Sequence, residues 1–131
     1  MRIVLRQAGV LLLAAGLAAA VAAFSIPLRE TGEGEISLDT ALKCQPQPLW
    51  IDARSEAEYR SGHIPGALLL NAESWEPLVP KVLEAWEPER TAIVYCASPG
   101  AQASREVAER LRDFKLGPVF VLQGGWKAWK P

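Results

Sequence analysis

Four short apolar runs, Leu-Trp-Ile-Asp at 49–52, Gly-Ala-Leu-Leu-Leu-Asn at 66–71, Thr-Ala-Ile-Val-Tyr-Cys at 91–96 and Val-Phe-Val-Leu at 119–122, are separated by stretches with helical spacing. Each run is too short for a buried helix and lacks the polar alternation of a strand with one wet face. Strands apolar on both sides must be covered on both sides, which is the situation of a parallel sheet. Strand and helix in alternation predict an α/β domain with a mostly parallel sheet covered by helices on both faces, three layers in all.

The connecting segments carry their own start and stop signals. Ser37 caps a short helix with Leu38, Ala41 and Leu42 on one face, and Pro46 and Pro48 end it. Ser55 caps a helical turn stopped by Gly62. Glu73 to Trp86 reads as a helix interrupted by Pro77 and Pro80, with Trp75, Leu78, Val79, Val82, Leu83 and Trp86 at mixed three and four spacing. Ser104 to Phe114 sets Val107, Ala108, Leu111 and Phe114 on one face and Arg105, Glu106, Glu109 and Arg110 on the other. Trp126 and Trp129 close the chain on a short amphipathic turn. There is no internal repeat.

Ahead of this domain, Arg2 and Arg6 precede an uncharged run from Gln7 to Leu28. Its core, Ala8 to Ile26, is 19 residues, and at about 1.5 Å per residue that is roughly the depth of a bilayer's hydrocarbon core. The same stretch holds small-x-small cleavage sites at Ala18-Ala19-Ala20 and Ala20-Val21-Ala22. A transmembrane anchor and a cleaved signal peptide both fit, the length favouring the anchor. Both export the domain, and the flanking charges keep the amino end inside. The expected organisation is a signal or anchor at 1–28, a tether at 29–35 and one domain at 36–131, exported and either held at the membrane or released to the periplasm.

Removing Arg2 and Arg6 from the 14 basic residues leaves 12 against 15 acidic ones, a net charge of −3. No basic stripe is present, which excludes a nucleic-acid partner. A bridge between Cys44 and Cys96 is excluded for another reason: one precedes its strand and the other follows a parallel one, so a strand length separates them.

Cys96 ends an apolar strand and is followed by the small, Gly- and Pro-containing loop Ala97-Ser98-Pro99-Gly100-Ala101-Gln102. Parallel sheets place their sites beyond the carboxyl ends of the strands. Inward-facing loop amides and the start of a helix stabilise an anion and favour a thiolate. A buried structural cysteine ends a strand equally well, so the residues around it must decide.

Those residues have a familiar order. The stretch "WIDARSEAEYRSGHIPGALLLN" resembles the opening signature of the rhodanese homology domain, and "VFVLQGGWKAW" resembles its closing one, with "VYC" before a loop and helix between them. The resemblance covers about Ile36 to Trp129. It implies a rhodanese-like fold and a sulfurtransferase in which Cys96 takes the outer sulfur of thiosulfate or of a thiol persulfide, holds it as a persulfide and passes it to a thiol or cyanide acceptor. The loop from Ala97 to Gln102 would cradle that sulfur, with no metal or organic cofactor.

Asp52, Arg54, His63, Gly66, Gly125 and Trp126 read as structural. Asp52 and Arg54 would tie the turn after their strand, with Glu58 as a further partner. His63 stands alone, which speaks against a metal site. Gly66, Gly124 and Gly125 serve backbone turns, and Trp126 and Trp129 are core lids.

The loop departs from the family pattern. Many active members have Cys-x-x-Gly-x-Arg before a serine, whereas here glycine is the fourth residue after Cys96 and no arginine occurs before Arg105. Losing a guanidinium weakens the hold on a small dianion. Phosphatases and arsenate reductases that share this fold use Cys-x5-Arg, a position occupied here by Gln102. Two alternatives therefore remain, a tethered module for partner binding or redox sensing and, more weakly, such a phosphatase or reductase.

Overall fold

In the computed structural model of the protein, the described residues are 34–97 and 102–130. The hydrophobic run at 1–28 and the loop residues Ser98, Pro99, Gly100 and Ala101 lie outside them. No described helix is long and apolar enough to cross a membrane.

The elements in chain order are β1 (Glu35–Ile36), α1 (Leu38–Leu42), β2 (Leu49–Asp52), α2 (Glu56–Ser61), β3 (Leu68–Leu69), α3 (Trp75–Ala85), β4 (Ala92–Tyr95), α4 (Gln102–Arg112), β5 (Val119–Leu122) and α5 (Gly125–Trp129). The strands form one sheet in the order β1-β5-β4-β2-β3, and every pairing is parallel. β4 is central, in register with β2 through Leu49↔Ala92 and Asp52↔Tyr95.

Alternation along the strands builds two separate cores. Leu49, Ile51, Ala92, Val94, Val119 and Val121 face the first, where Val82 and Trp86 of the α3 segment and Val107, Ala108 and Leu111 of α4 cover them. Trp50, Ile93, Tyr95, Phe120 and Leu122 face the second, covered by Ala41 of α1, by Ile64 and Ala67 after α2, and by Trp126 and Trp129 of α5. Each fully buried aliphatic or aromatic side chain contributes about 1.5–3 kcal/mol, so both faces are needed for a domain this small. The three-layer α/β fold is thus as the apolar runs predicted.

Helix ends follow the predicted caps. The Thr40 amide donates to the Ser37 hydroxyl, and the Glu58 amide to that of Ser55, both at 3.2 Å. α3 is not broken by its prolines. Pro77 lies in the first turn, where an N–H has no helical acceptor anyway, and only Pro80 stands inside.

Three further expectations change. β1 was not foreseen as a strand, and Glu35 was placed in the tether; in the structure Glu35 pairs with Val121 and Ile36 with Leu122. Two residues within a polar, glycine-containing stretch carry no strand pattern, and only the edge of β5 gives them one. Leu42 is 58% exposed rather than packed, because α1 turns Ala41 into the core and Leu42, about 100° further round the helix, falls outside that face. Phe114 is also exposed: the Asp113, Phe114 and Lys115 amides bond carbonyls three residues back, which tightens the turn and rotates Phe114 off the apolar stripe.

Candidate functional site

The chain leaves β2 toward β3 on one side and leaves β4 toward β5 on the other. Ligands of open parallel sheets bind between such diverging strands, beyond their carboxyl ends. That crevice lies between the end of β2, with Asp52 and Arg54, and the end of β4, with Tyr95 and Cys96. The Ala53 amide donates to the Tyr95 carbonyl at 2.8 Å and extends the pairing to its mouth.

Cys96 is buried, and its sulfur is 3.2 Å from the hydroxyl of Ser104, itself buried in the first turns of α4. The Cys96 carbonyl accepts from the Trp126 amide at 2.8 Å. The nucleophile candidate is therefore held by three elements, namely its own strand, the following helix and the closing helix. Ala97 and Gln102 flank it and are exposed, so of the predicted loop these two are placed and the other four lie outside the described residues.

Beneath the crevice is a buried charged network. Arg54 Nε donates to both Asp52 carboxylate oxygens at 2.9 and 3.1 Å, and Nη2 to Oδ2 at 2.7 Å. The same Nη2 reaches the Gly62 carbonyl at 2.6 Å. Tyr95 donates its hydroxyl to Asp52 Oδ2 at 2.9 Å and accepts from the Ile64 amide at 3.1 Å. Trp126 covers the guanidinium plane at 4.4 Å. The hydrogen bond to Asp52 raises the Arg54 pKa, and burial pushes the Tyr95 phenol well up. Glu58, named with this pair from the sequence, is exposed; its amide donates to the Ser55 hydroxyl and its carbonyl accepts from that of Ser61. A forked carboxylate–guanidinium contact satisfies Arg54 two residues away, with no need for an acid on the helix.

The remaining structural assignments are placed as follows. His63 stacks on Tyr59 with centroids 3.8 Å apart, and its Nδ1 lies 2.7 Å from the Tyr59 carbonyl. Gly66 and Gly125 have φ of 84° and 59°, the left-handed region that glycine enters without cost. Among the described residues no group of three or more His, Cys, Asp or Glu could hold a metal ion.

Cys44 lies near the amino-terminal ends of the strands, beside a cleft of about 380 Å³ lined also by Trp50, Ile64, Arg90 and Trp129. Burial raises its pKa. Neither cysteine is in a disulfide. One side chain and one backbone donor escaped the sequence reading. Tyr95 looked like one more apolar strand position, though a tyrosine among Ala, Ile and Val was the available signal. The Trp126 amide carries no signal at all, because a backbone donor has no residue type.

The fold defines the class as a parallel α/β domain, with Cys96 following its central strand at the point where the strand connections diverge. Residues 37–131 match the rhodanese-like domain, and the chain belongs to that family. Solved relatives agree. The Alr3790 protein from Anabaena sp. is 30% identical, with a TM-score of 0.54 over 66% of this chain and 63% of that one. A rhodanese-like domain protein from Staphylococcus aureus is 26% identical, with a TM-score of 0.54 over 72% and 89%. BH2092 from Bacillus halodurans shares the fold at 21% identity, with a TM-score of 0.56 over 66% and 60%. The match thus spans less than two thirds of the BH2092 and Alr3790 chains.

Proposed function

We propose that the protein is a sulfurtransferase that carries sulfane sulfur as a persulfide on Cys96. The observation that supports this most is the seat of Cys96, at the carboxyl end of the central strand with its sulfur 3.2 Å from the Ser104 hydroxyl. In the first half-reaction the Cys96 thiolate attacks the terminal sulfur of the donor, and the donor's S–S bond breaks with its electron pair on the leaving group. In the second, an acceptor thiolate or cyanide attacks that same terminal sulfur and the Cys96 thiolate leaves. No net oxidant or reductant is needed, and the intermediate is covalent. Ser104 donates to whichever sulfur anion is present, and loop amides beside Ala97 and Gln102 would do the same.

Gln102 weighs against phosphatase or arsenate reductase chemistry, because a neutral amide cannot replace the arginine that clamps a phosphoryl or arsenyl dianion. A role confined to partner binding or redox sensing is the competing reading. The proposal extends to location: residues 1–28 would export the domain and either anchor it or be removed, which the mass of the mature protein distinguishes.

The test is the intact mass of the full-length chain before and after exposure to thiosulfate and to cysteine persulfide, beside Cys96→Ser. A gain of one sulfur, about 32 Da, that is absent in the variant is the expected result. No gain from either donor would leave a binding or redox module.

A further inference from the structure

The cleft beside Cys44 takes no part in the sulfur chemistry. It opens at the end of the sheet where β2 and β4 begin, between α1, the turn at 65–66 and the end of α5. Arg90 lines it ahead of β4 whereas Cys96 follows that strand, and at about 3.3 Å per residue the two lie roughly 20 Å apart. The volume of about 380 Å³ is that of a small-molecule site.

Two kinds of wall face each other in chemistry. Trp50 and Trp129 meet edge to face with centroids 6.0 Å apart, and the exposed side chain of Leu42 adds an aliphatic rim. The polar wall is Arg90. Its Nε donates to the Gln47 carbonyl at 2.8 Å, and Nη1 and Nη2 donate to the carbonyls of Ala85 and Pro48, both at 3.4 Å. Carbonyls hold the guanidinium in place but bring no counter-charge, and three bonds leave two of its five N–H groups for a ligand. No carboxylate among the described residues forms an ion pair with it.

The fork is thereby fixed before a ligand arrives, so little side-chain freedom is lost on binding. One fixed cation beside aromatic and aliphatic walls matches a single negative charge on a planar apolar body. A dianion would bring its second charge against the Gln47 and Pro48 carbonyl oxygens without compensation.

We propose that this cleft binds a small aromatic carboxylate, with the carboxylate on Arg90 and the ring against Trp50 and Trp129. The site is independent of the sulfurtransferase reading.

The experiment follows alkylation of Cys44 by iodoacetamide in the full-length chain, read on the Cys44 peptide by mass spectrometry. Naphthoate is the probe and naphthalenemethanol its uncharged counterpart. Cys44 lines the cleft and is only 7% exposed, so labelling needs local opening, and a ligand that holds the cleft closed slows it by the factor 1 + [L]/Kd. With a Kd of about 1 mM, naphthoate at about 10 mM slows Cys44 labelling roughly tenfold and leaves Cys96 within about twofold. The alcohol, lacking the charge that Arg90 holds, should slow Cys44 by no more than about twofold. Arg90→Gln removes the cation, and Leu42→Glu sets a competing carboxylate at the exposed rim, where a substitution costs the fold little. Each should reduce the naphthoate effect to about twofold or less. Labelling of Cys44 unchanged by naphthoate, slowed equally at Cys96, slowed equally by the alcohol, or still slowed tenfold in either variant would overturn the proposal.

Discussion

The amide of Trp126 bonds the carbonyl of Cys96 at 2.8 Å, while the indole of the same residue lies over the Arg54 guanidinium at 4.4 Å. One residue of the closing helix thereby joins the thiol's strand end to the charged network under the crevice. It also stacks on Tyr95, with centroids 6.1 Å apart. The position of Cys96 thus depends on a segment 30 residues further along the chain.

Trp126→Ala should lower stability by about 2–4 kcal/mol, somewhat under a full core deletion because the ring is half-buried. It should also slow persulfide formation on Cys96. Trp126→Phe keeps an aromatic face over Arg54 and should recover most of both. Urea midpoints together with the rate of one-sulfur gain check this; a variant that loses stability but loads at the wild-type rate would show that α5 does not position the thiol.

Asp52→Ala leaves Arg54 buried without its counter-charge, and a cost of about 3–5 kcal/mol is expected. That is a large fraction of the roughly 5–15 kcal/mol by which a domain of this size is stable. Adding Arg54→Met removes the orphaned charge, so the double variant should be more stable than Asp52→Ala alone. Denaturant titration of the three proteins measures the coupling directly.

Stability should decline in alkali. Burial raises the pKa values of Tyr95 and Cys44 in the folded state, so the folded protein holds these protons more tightly than the unfolded chain does. Their contribution is complete below the unfolded values, about 10 for tyrosine and about 8.5 for cysteine, and is lost as pH rises through the higher folded ones. Urea midpoints measured from pH 7 to 11 should fall above about pH 9. Tyr95→Phe should flatten the upper part of that decline. At pH 7 it should cost about 1–3 kcal/mol, because the Ile64 amide and Asp52 both lose a partner.

Ser104→Ala removes the hydroxyl 3.2 Å from the Cys96 sulfur. A hydrogen bond to a forming sulfur anion is worth about 1–2 kcal/mol, so sulfur loading should slow by roughly five- to thirtyfold. Ser104→Thr keeps the hydroxyl and should load faster than the alanine variant. Equal rates in all three proteins would remove Ser104 from the chemistry.

Much of the architecture was readable from residue order because it rests on local physics. Runs such as Ala92–Tyr95 are apolar on both sides, which admits only a covered strand, and Ser37 and Ser55 cap helices through contacts three residues away. Such patterns need no knowledge of the rest of the chain. The same holds for Cys96, whose place at a strand end before a helix follows from the sequence around it. Phe114 marks the limit of this logic, since helical spacing alone did not show where the last turn tightens.

What tertiary structure decided is what depends on distant partners. β1 exists because β5 offers an edge to Glu35 and Ile36; Arg54 is spent on Asp52 instead of reaching for a substrate; and Tyr95 serves as a polar hub within an apolar strand. The sequence by itself determined the layers, the strand ends and the candidate nucleophile, because apolar periodicity and capping act within a few residues. Only the folded chain decided which charges remain available beside Cys96, because pairing energies depend on distances that residue order does not contain.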